Sequence, residues 1–292
     1  MSRILITGAA GFIGSHLIST LRGKHELFGL VRPKPAGERP AGVKWLEHDL
    51  SQPMDQARLP GRLDAIIHLA QSRHYREFPE QAKNIFDVNI NGTFQLLEYA
   101  RQTSVRCFIL ASTGGVYGYS YEKFFETDPV NPLNFYLSSK YTGELLLANY
   151  QSYFKTIVFR FFFVYGPGQK GMLISNLFHK VIHGERITIE GNPGLCINPI
   201  YLEDAIRVFE PALDLQASAL FNVAGDESVT ITTLVRIMEG ICRKQASIGY
   251  KAVHASGNLL GDNSRIKEVL GITPKVSLQE GLKRMVQSWE EQ

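Results

Sequence analysis

Tyr136-Leu137-Ser138-Ser139-Lys140 sets a phenol and an ammonium four residues apart, a spacing that on a helix puts both on one face. Pro132 and Asn134, just ahead, suit a helix start and place the pair near the first turn. A phenol with an ordinary pKa of about 10 is a poor base at neutral pH. An ammonium within about 4–6 Å favours the phenolate, typically by about one to three units. Such a pair can take a proton from a carbinol or return it to a ketone. The spacing also occurs on ordinary helix surfaces, where Tyr and Lys are common.

A second pattern gives the pair something to act with. Gly8-Ala9-Ala10-Gly11-Phe12-Ile13-Gly14 follows an apolar run and opens a helical one. In the dinucleotide reading, Gly8 permits a tight turn, Gly11 lets backbone approach a pyrophosphate, and Gly14 lets helix pack on sheet. A bare packing turn also collects glycines, but the strand–turn–helix context is the one a dinucleotide site requires. The positive charge of an oxidised nicotinamide acts on the phenol in the same direction as Lys140, whose ammonium can also donate to the nicotinamide ribose.

The elements that must position these groups are legible as alternating patterns. Ile4–Thr7, Leu27–Val31, Ala65–His68, Cys107–Ala111 and Thr156–Val164 are apolar on both faces, as buried parallel strands are. Helical stretches lie between them at Phe12–Arg22, Pro79–Thr103 and Phe135–Phe154. This predicts an α/β fold, a Rossmann-type doubly wound parallel sheet with right-handed crossovers. After Gly166-Pro167-Gly168 the pattern loosens: a helix at Met172–His183, a short strand at Arg186–Glu190, and helices at Thr232–Cys242 and Leu278–Glu290. The expected domains are a dinucleotide-binding domain over 1–165, with 199–225 returning to it, and a smaller, discontinuous α/β substrate domain over 166–292.

Composition agrees with a well-cored globular chain. The 292 residues are 44% hydrophobic and 20% charged, which excludes extended disorder. A net charge of +3, scattered along the chain, argues against nucleic acid or an anionic membrane as partner. Cys107, Cys196 and Cys242 are far apart and lack CxxC spacing, so neither a disulfide framework nor a cysteine-held zinc is expected, and no other metal. No run approaches the roughly 20 apolar residues of a membrane span, and the expected location is cytoplasmic.

The GxxGxxG spacing resembles the extended branch of the short-chain dehydrogenase/reductase superfamily, specifically the NAD(P)-dependent epimerase/dehydratase family. Further blocks carry the resemblance in order along the chain: Asp64-Ala65-Ile66-Ile67-His68-Leu69-Ala70, Asn89-Ile90-Asn91-Gly92-Thr93, Val164-Tyr165-Gly166-Pro167-Gly168 and Leu270-Gly271-Ile272-Thr273-Pro274. The resemblance implies Thr113, Tyr136 and Lys140 as catalytic residues. Thr113, in the block Ala111 to Gly118, stands at the family's Ser/Thr position, its hydroxyl orienting the reacting oxygen. Ser112 reads as a strand-end hydroxyl that could substitute, and Tyr117 as packing. For the cofactor the resemblance implies Gly8, Gly11, Phe12, Ile13, Gly14, Asp49, Leu50, Leu69, Ala70, Asn89, Tyr136, Lys140 and Phe163. It also implies a homodimer through Pro79–Thr103 and Phe135–Phe154, whose apolar residues exceed one buried stripe.

Arg32 decides the expected cofactor. It lies 32 − 14 = 18 residues after Gly14, where an acidic residue would hold the adenosine ribose. A guanidinium can instead pair with a 2′-phosphate, and Lys34 adds charge nearby, so NADP is expected over NAD. The alternative is a solvated loop arginine.

Departures from the family narrow the chemistry. Its 4,6-dehydratases carry Thr-Asp-Glu where this chain has Thr113-Gly114-Gly115, and glycine transfers no proton. A dehydratase is therefore not expected, and a decarboxylase using the same acidic position is disfavoured. Reversible carbinol–ketone chemistry remains, by reduction, oxidation or epimerisation, most naturally on a sugar nucleotide. Three usual phosphate partners are replaced, at Phe163, Ile197 and around His254, and Arg73, Arg76, His179, Lys180 and Lys251 are the other cations available. Two further readings stand beside it. One is a reductase of a non-sugar carbonyl compound with Phe161, Phe162 and Phe163 lining its pocket. The other is a dinucleotide sensor without chemistry, which intact Thr113, Tyr136 and Lys140 argue against.

Overall fold

The computed structural model describes residues 1–33, 39–252 and 257–290. Lys34 and His254 lie outside them. The chain packs as two compact units: the first holds Met1–Val116, Asn131–Arg160 and Phe209–Phe221, the second Tyr117–Val130, Phe161–Val208 and Asn222–Gln292. The first unit carries β1 (Arg3–Thr7), α1 (Phe12–Leu21), β2 (Glu26–Val31), β3 (Val43–Glu47), β4 (Ala65–His68), α2 (Ala82–Phe86), α3 (Gly92–Gln102), β5 (Cys107–Thr113), α4 (Phe135–Ala148) and β6 (Lys155–Phe161). A seven-stranded sheet runs in the order Ala219–Val223, β6, β5, β4, β1, β2, β3. The pairs β1–β2, β1–β4, β2–β3 and β4–β5 are all parallel. This is the Rossmann order, and its switch point falls between β1 and β4, where ligands bind beyond the carboxyl ends of the strands.

Burial explains the apolar runs. Ile4, Leu5 and Ile6 of β1 and Ile66 and Ile67 of β4 are fully buried, with helices covering both faces of the strands. Leu96, Leu97, Tyr99 and Ala100 of α3 close on Leu5, Ile66 and Phe108 from one side. Three expected elements are corrected. The helix expected over Pro79–Thr103 runs from Ala82 to Gln102 without a break, but with a π-helical turn over Asp87–Asn91 joining α2 to α3. The helix expected to reach Phe154 stops at Ala148, where Asn149 caps it. The strand expected over Thr156–Val164 ends at Phe161, and Phe163 takes a left-handed φ of +46°, which a β-strand cannot hold.

The second unit has its own core, in which Phe178 and Val181 of α5 (Leu173–His183) pack with Ile187, Leu234, Met238, Leu282 and Met285. Among the described residues no helix is long and apolar enough to cross a membrane.

Candidate active site

The glycine loop is shaped by close approaches. Gly8 has a φ of +66°, and a Cβ there would lie 2.9 Å from the backbone nitrogen of Ala70, so only glycine admits the Leu69-Ala70 segment that follows β4. Gly11 donates its N–H to Gly8 O at 2.8 Å, and a Cβ on Gly14 would collide with that same oxygen. Gly11 is the N-cap of α1, no side chain caps it, and no acidic residue stands in the first turn. The open N–H groups of Phe12, Ile13 and Gly14 therefore fit the pyrophosphate of a dinucleotide, which meets both the free donors and the helix dipole.

Beneath this loop lies a buried polar chain that sequence reasoning missed. His68 Nδ1 is 2.6 Å from Thr7 Oγ1, and its Nε2 is 3.0 Å from Thr93 Oγ1. Thr93 donates its one hydroxyl proton to Asn89 O at 2.6 Å. Toward His68 it can only accept, so Nε2 carries the ring proton and Thr7 donates to Nδ1. Thr7 Oγ1 also accepts from Ala70 N at 3.2 Å, which fixes the segment passing Gly8. Burial, followed by the charge of Lys140, pushes the His68 pKa down to about 3. The available signal was the register: Thr7 and His68 are paired residues at the ends of adjacent strands.

Asn89 sits in the π-turn with both amide groups used inside the protein. Its Oδ1 accepts from Ser72 N at 2.8 Å, and its Nδ2 donates to Ser139 Oγ at 2.9 Å. Ser139 Oγ donates in turn to Tyr136 O at 2.7 Å. The loop after β4 is thereby tied to the helix that carries Tyr136 and Lys140. Leu50 is buried beside Gly92, where a Cβ would stand 3.0 Å from it, and Asp49 Oδ1 accepts from Ser51 N at 2.9 Å.

Tyr136 and Lys140 both lie on α4, whose N-cap Asn134 accepts from Leu137 N as its sequence position suggests. Tyr136 donates its hydroxyl to Gln71 Oε1 at 2.8 Å, and its ring lies 5.0 Å from Tyr75. Burial, then Tyr75, raises its pKa above the ordinary phenol value, while Gln71 and Arg76 act in the opposite direction. Lys140 is buried and donates from Nζ to Ala111 O at 2.5 Å. Burial pushes its pKa down to about 8, with the Glu144 carboxylate opposing. At pH 7 it is still mostly the ammonium. Thr113 ends β5, two residues beyond Ala111, and its Oγ1 accepts from Gly115 N at 3.2 Å.

A buried ion pair supports this end of the sheet. Glu144, one turn beyond Lys140, accepts from Arg160 Nε at 3.1 and 3.2 Å and from its Nη2 at 2.6 Å. Ser112 donates its hydroxyl to the same carboxylate, which explains this strand-end hydroxyl. Tyr117 is packing: its ring stacks on Phe124 at 4.7 Å and its hydroxyl donates to Asn222 at 2.9 Å. Of the three phenylalanines expected to line an apolar pocket, Phe161 and Phe162 are buried and Phe163 is half-exposed. Ile197 is fully buried in a short strand paired with Val229 and is structural.

The sequence pattern of the NAD dependent epimerase/dehydratase family matches residues 4–224. An uncharacterized UDP-glucose epimerase of Bacillus subtilis (strain 168) is 30% identical over 96% of this chain and 95% of its own. A probable UDP-glucuronate 4-epimerase of Rhizobium meliloti (strain 1021) is 29% identical over 99% and 97%. Among solved structures, UDP-glucuronic acid 4-epimerase from Bacillus cereus, in complex with UDP-glucuronic acid and NAD, has a TM-score of 0.89 at 27% identity over 99% of both chains. UDP-glucose 4-epimerase from Thermus thermophilus in complex with NAD has a TM-score of 0.83 at 27% identity over 99% of both chains.

These structures overturn the expectation of NADP, since both hold NAD and the family itself is NAD dependent. The physical reason lies in what a guanidinium can do. Arg32 is half-buried, and burial and then Arg73 hold its pKa below the usual arginine value, while Asp49 opposes them. The Asp49 carboxylate counters part of the charge that a 2′-phosphate would need, and guanidinium donors serve ribose hydroxyls or an adenine face equally well. A cation at this position does not by itself select the phosphate. With its Rossmann sheet, its glycine loop and these relatives, the chain belongs to the NAD dependent epimerase/dehydratase family.

Proposed function

We propose that the protein is an NAD-dependent epimerase of a UDP-linked sugar, inverting a secondary carbinol through a transient ketone. The observation that carries the reading is the gathering of the glycine loop, Thr113, Tyr136 and Lys140 at the carboxyl ends of β1, β4 and β5. Bound NAD would supply the hydride acceptor and donor for the carbinol carbon. Tyr136 takes the hydroxyl proton in one direction and gives it back in the other, Thr113 Oγ1 orients the oxygen, and Lys140 supplies the positive charge beside them. Gly8, Gly11, Phe12, Ile13 and Gly14 hold the pyrophosphate, with Arg32, Asp49, Leu50, Leu69 and Ala70 along the adenosine half. A 4,6-dehydratase or decarboxylase is disfavoured because Gly114 and Gly115 offer no acid, and a Cβ at Gly115 would lie 2.7 Å from Leu137 Cδ2.

The test is to incubate the purified protein with NAD and either UDP-glucose or UDP-glucuronic acid. The expected product is the 4-epimer, approaching one mixture from either side, with no net NADH. Stoichiometric NADH would instead mark a dehydrogenase, and no turnover of either compound would reject the substrate assignment.

The protein is further proposed to act as a homodimer. Phe86, Phe94 and Leu145, on α2, α3 and α4, are each about half exposed, and pairing of these helices with those of a second copy would bury them. A solution mass of one chain at micromolar concentration would reject the dimer.

A further inference from the structure

The last turn of α5 gathers three side chains that no part of the proposed reaction uses. His179 and His183 stand four residues apart on α5, with Glu185 two residues beyond His183. One donor atom from each lies within 4.8 Å of the others, and all three residues are exposed. The two imidazoles stack at 4.1 Å between centroids, and His179 Nδ1 is 3.4 Å from Glu185 Oε1.

The backbone holds this set in place. Gly184 turns the chain with a φ of +66°, and Glu185 N donates to Lys180 O at 2.9 Å, closing the helix end so that the carboxylate folds back over the last turn. His183 Nδ1 lies 2.8 Å from His179 O, and a carbonyl can only accept, so Nδ1 carries the proton. That leaves the Nε2 lone pair of His183 as the ligating atom, in the tautomer that a backbone hydrogen bond selects at metal-binding histidines. The carboxyl end of a helix also favours a positive charge.

We propose that His179, His183 and Glu185 form a surface site for a borderline divalent transition-metal ion of the Zn²⁺ class, with water completing the shell. Two imidazoles and a carboxylate are a zinc-type donor set, and bonds of about 2.0–2.2 Å require the donors to draw together by about an ångström, which exposed side chains on a pinned turn allow. The ion would bridge α5 to the segment beyond Gly184.

The test uses tag-free protein titrated with Zn²⁺ alone by calorimetry, and with Co²⁺ followed by visible absorption. One equivalent is expected to bind, with ligand-field bands of a low-coordinate nitrogen–oxygen site. His179→Gln and His183→Gln are each expected to weaken binding about 10-fold or more, and Glu185→Gln to weaken it measurably. His74→Gln, at the separate His74–Glu77 pair, is expected to leave the affinity unchanged. Failure of the parent to take up one equivalent, or an affinity in His179→Gln or His183→Gln equal to the parent's, would overturn the site.

Discussion

Tyr136→Phe is expected to lower kcat by about 10²–10⁴-fold, the usual contribution of a positioned acid or base, while NAD still binds. The ring remains, so its contact with Tyr75 at 5.0 Å and the packing of α4 are kept. What is lost is the one hydroxyl that donates to Gln71. Burial keeps that phenol protonated, so the protein without substrate holds an acid at this point rather than a base. In the free protein Arg76 is the cation that acts against that rise; under the proposed mechanism Lys140 and a bound oxidised nicotinamide would add the positive charge that deprotonation needs. Calorimetric NAD binding and product formation, measured on the same preparation, separate the outcomes. Turnover at the parent rate would remove Tyr136 from the mechanism, whereas loss of NAD binding together with turnover would show that the ring change had disturbed the fold. Lys140→Met is the contrasting variant, expected to damage both, because it removes a cation and the donor to Ala111 O together.

Much of this site could be read from residue type and spacing, because each motif follows an element with a strong pattern. The glycine loop lies between a fully apolar strand and a helix, and Asn134 marks the start of α4. Less legible were the features that depend on pairing between distant segments. The π-turn at Asp87–Asn91 leaves the apolar periodicity of its flanks intact, and it is Asn89, bonded to Ser72 and Ser139, that shows what the extra residue accomplishes. Glu144 and Arg160 read as an ordinary helix glutamate and an odd cation within Thr156-Ile157-Val158-Phe159-Arg160-Phe161. The arginine in a buried strand was the available signal, since such a charge requires a partner. Arg32 misled for a different reason. Guanidinium chemistry serves ribose and phosphate alike, so residue type alone could not choose between NAD and NADP.

His68 should make the stability of the first unit depend on pH in a direction that can be worked out. Its pKa is about 3 in the folded chain, against about 6.5 for an unperturbed histidine. Between those values the unfolded chain binds one more proton than the folded one, so stability falls as pH is lowered from about 6.5 towards 3 and is unaffected by this group above that window. The slope for one group is about 1.4 kcal/mol per pH unit, which gives a loss of about 2 kcal/mol on going from pH 6.5 to pH 5. The structural cause is specific. A proton added at Nδ1 would face Thr7 Oγ1, which now donates there and would have to turn its hydrogen away, while the cation would sit unpaired with Lys140 as its nearest charge. Denaturant unfolding of the parent and of His68→Gln across pH 5 to 7 measures the effect. The variant is expected to be less stable at neutral pH, because Thr7 and Thr93 lose a bridging ring. Its pH slope should nevertheless be shallower by about one proton between pH 5 and 6. Equal slopes in the two proteins would mean that His68 is protonated as readily folded as unfolded, and the neutral Thr7–His68–Thr93 chain beneath the glycine loop would have to be abandoned.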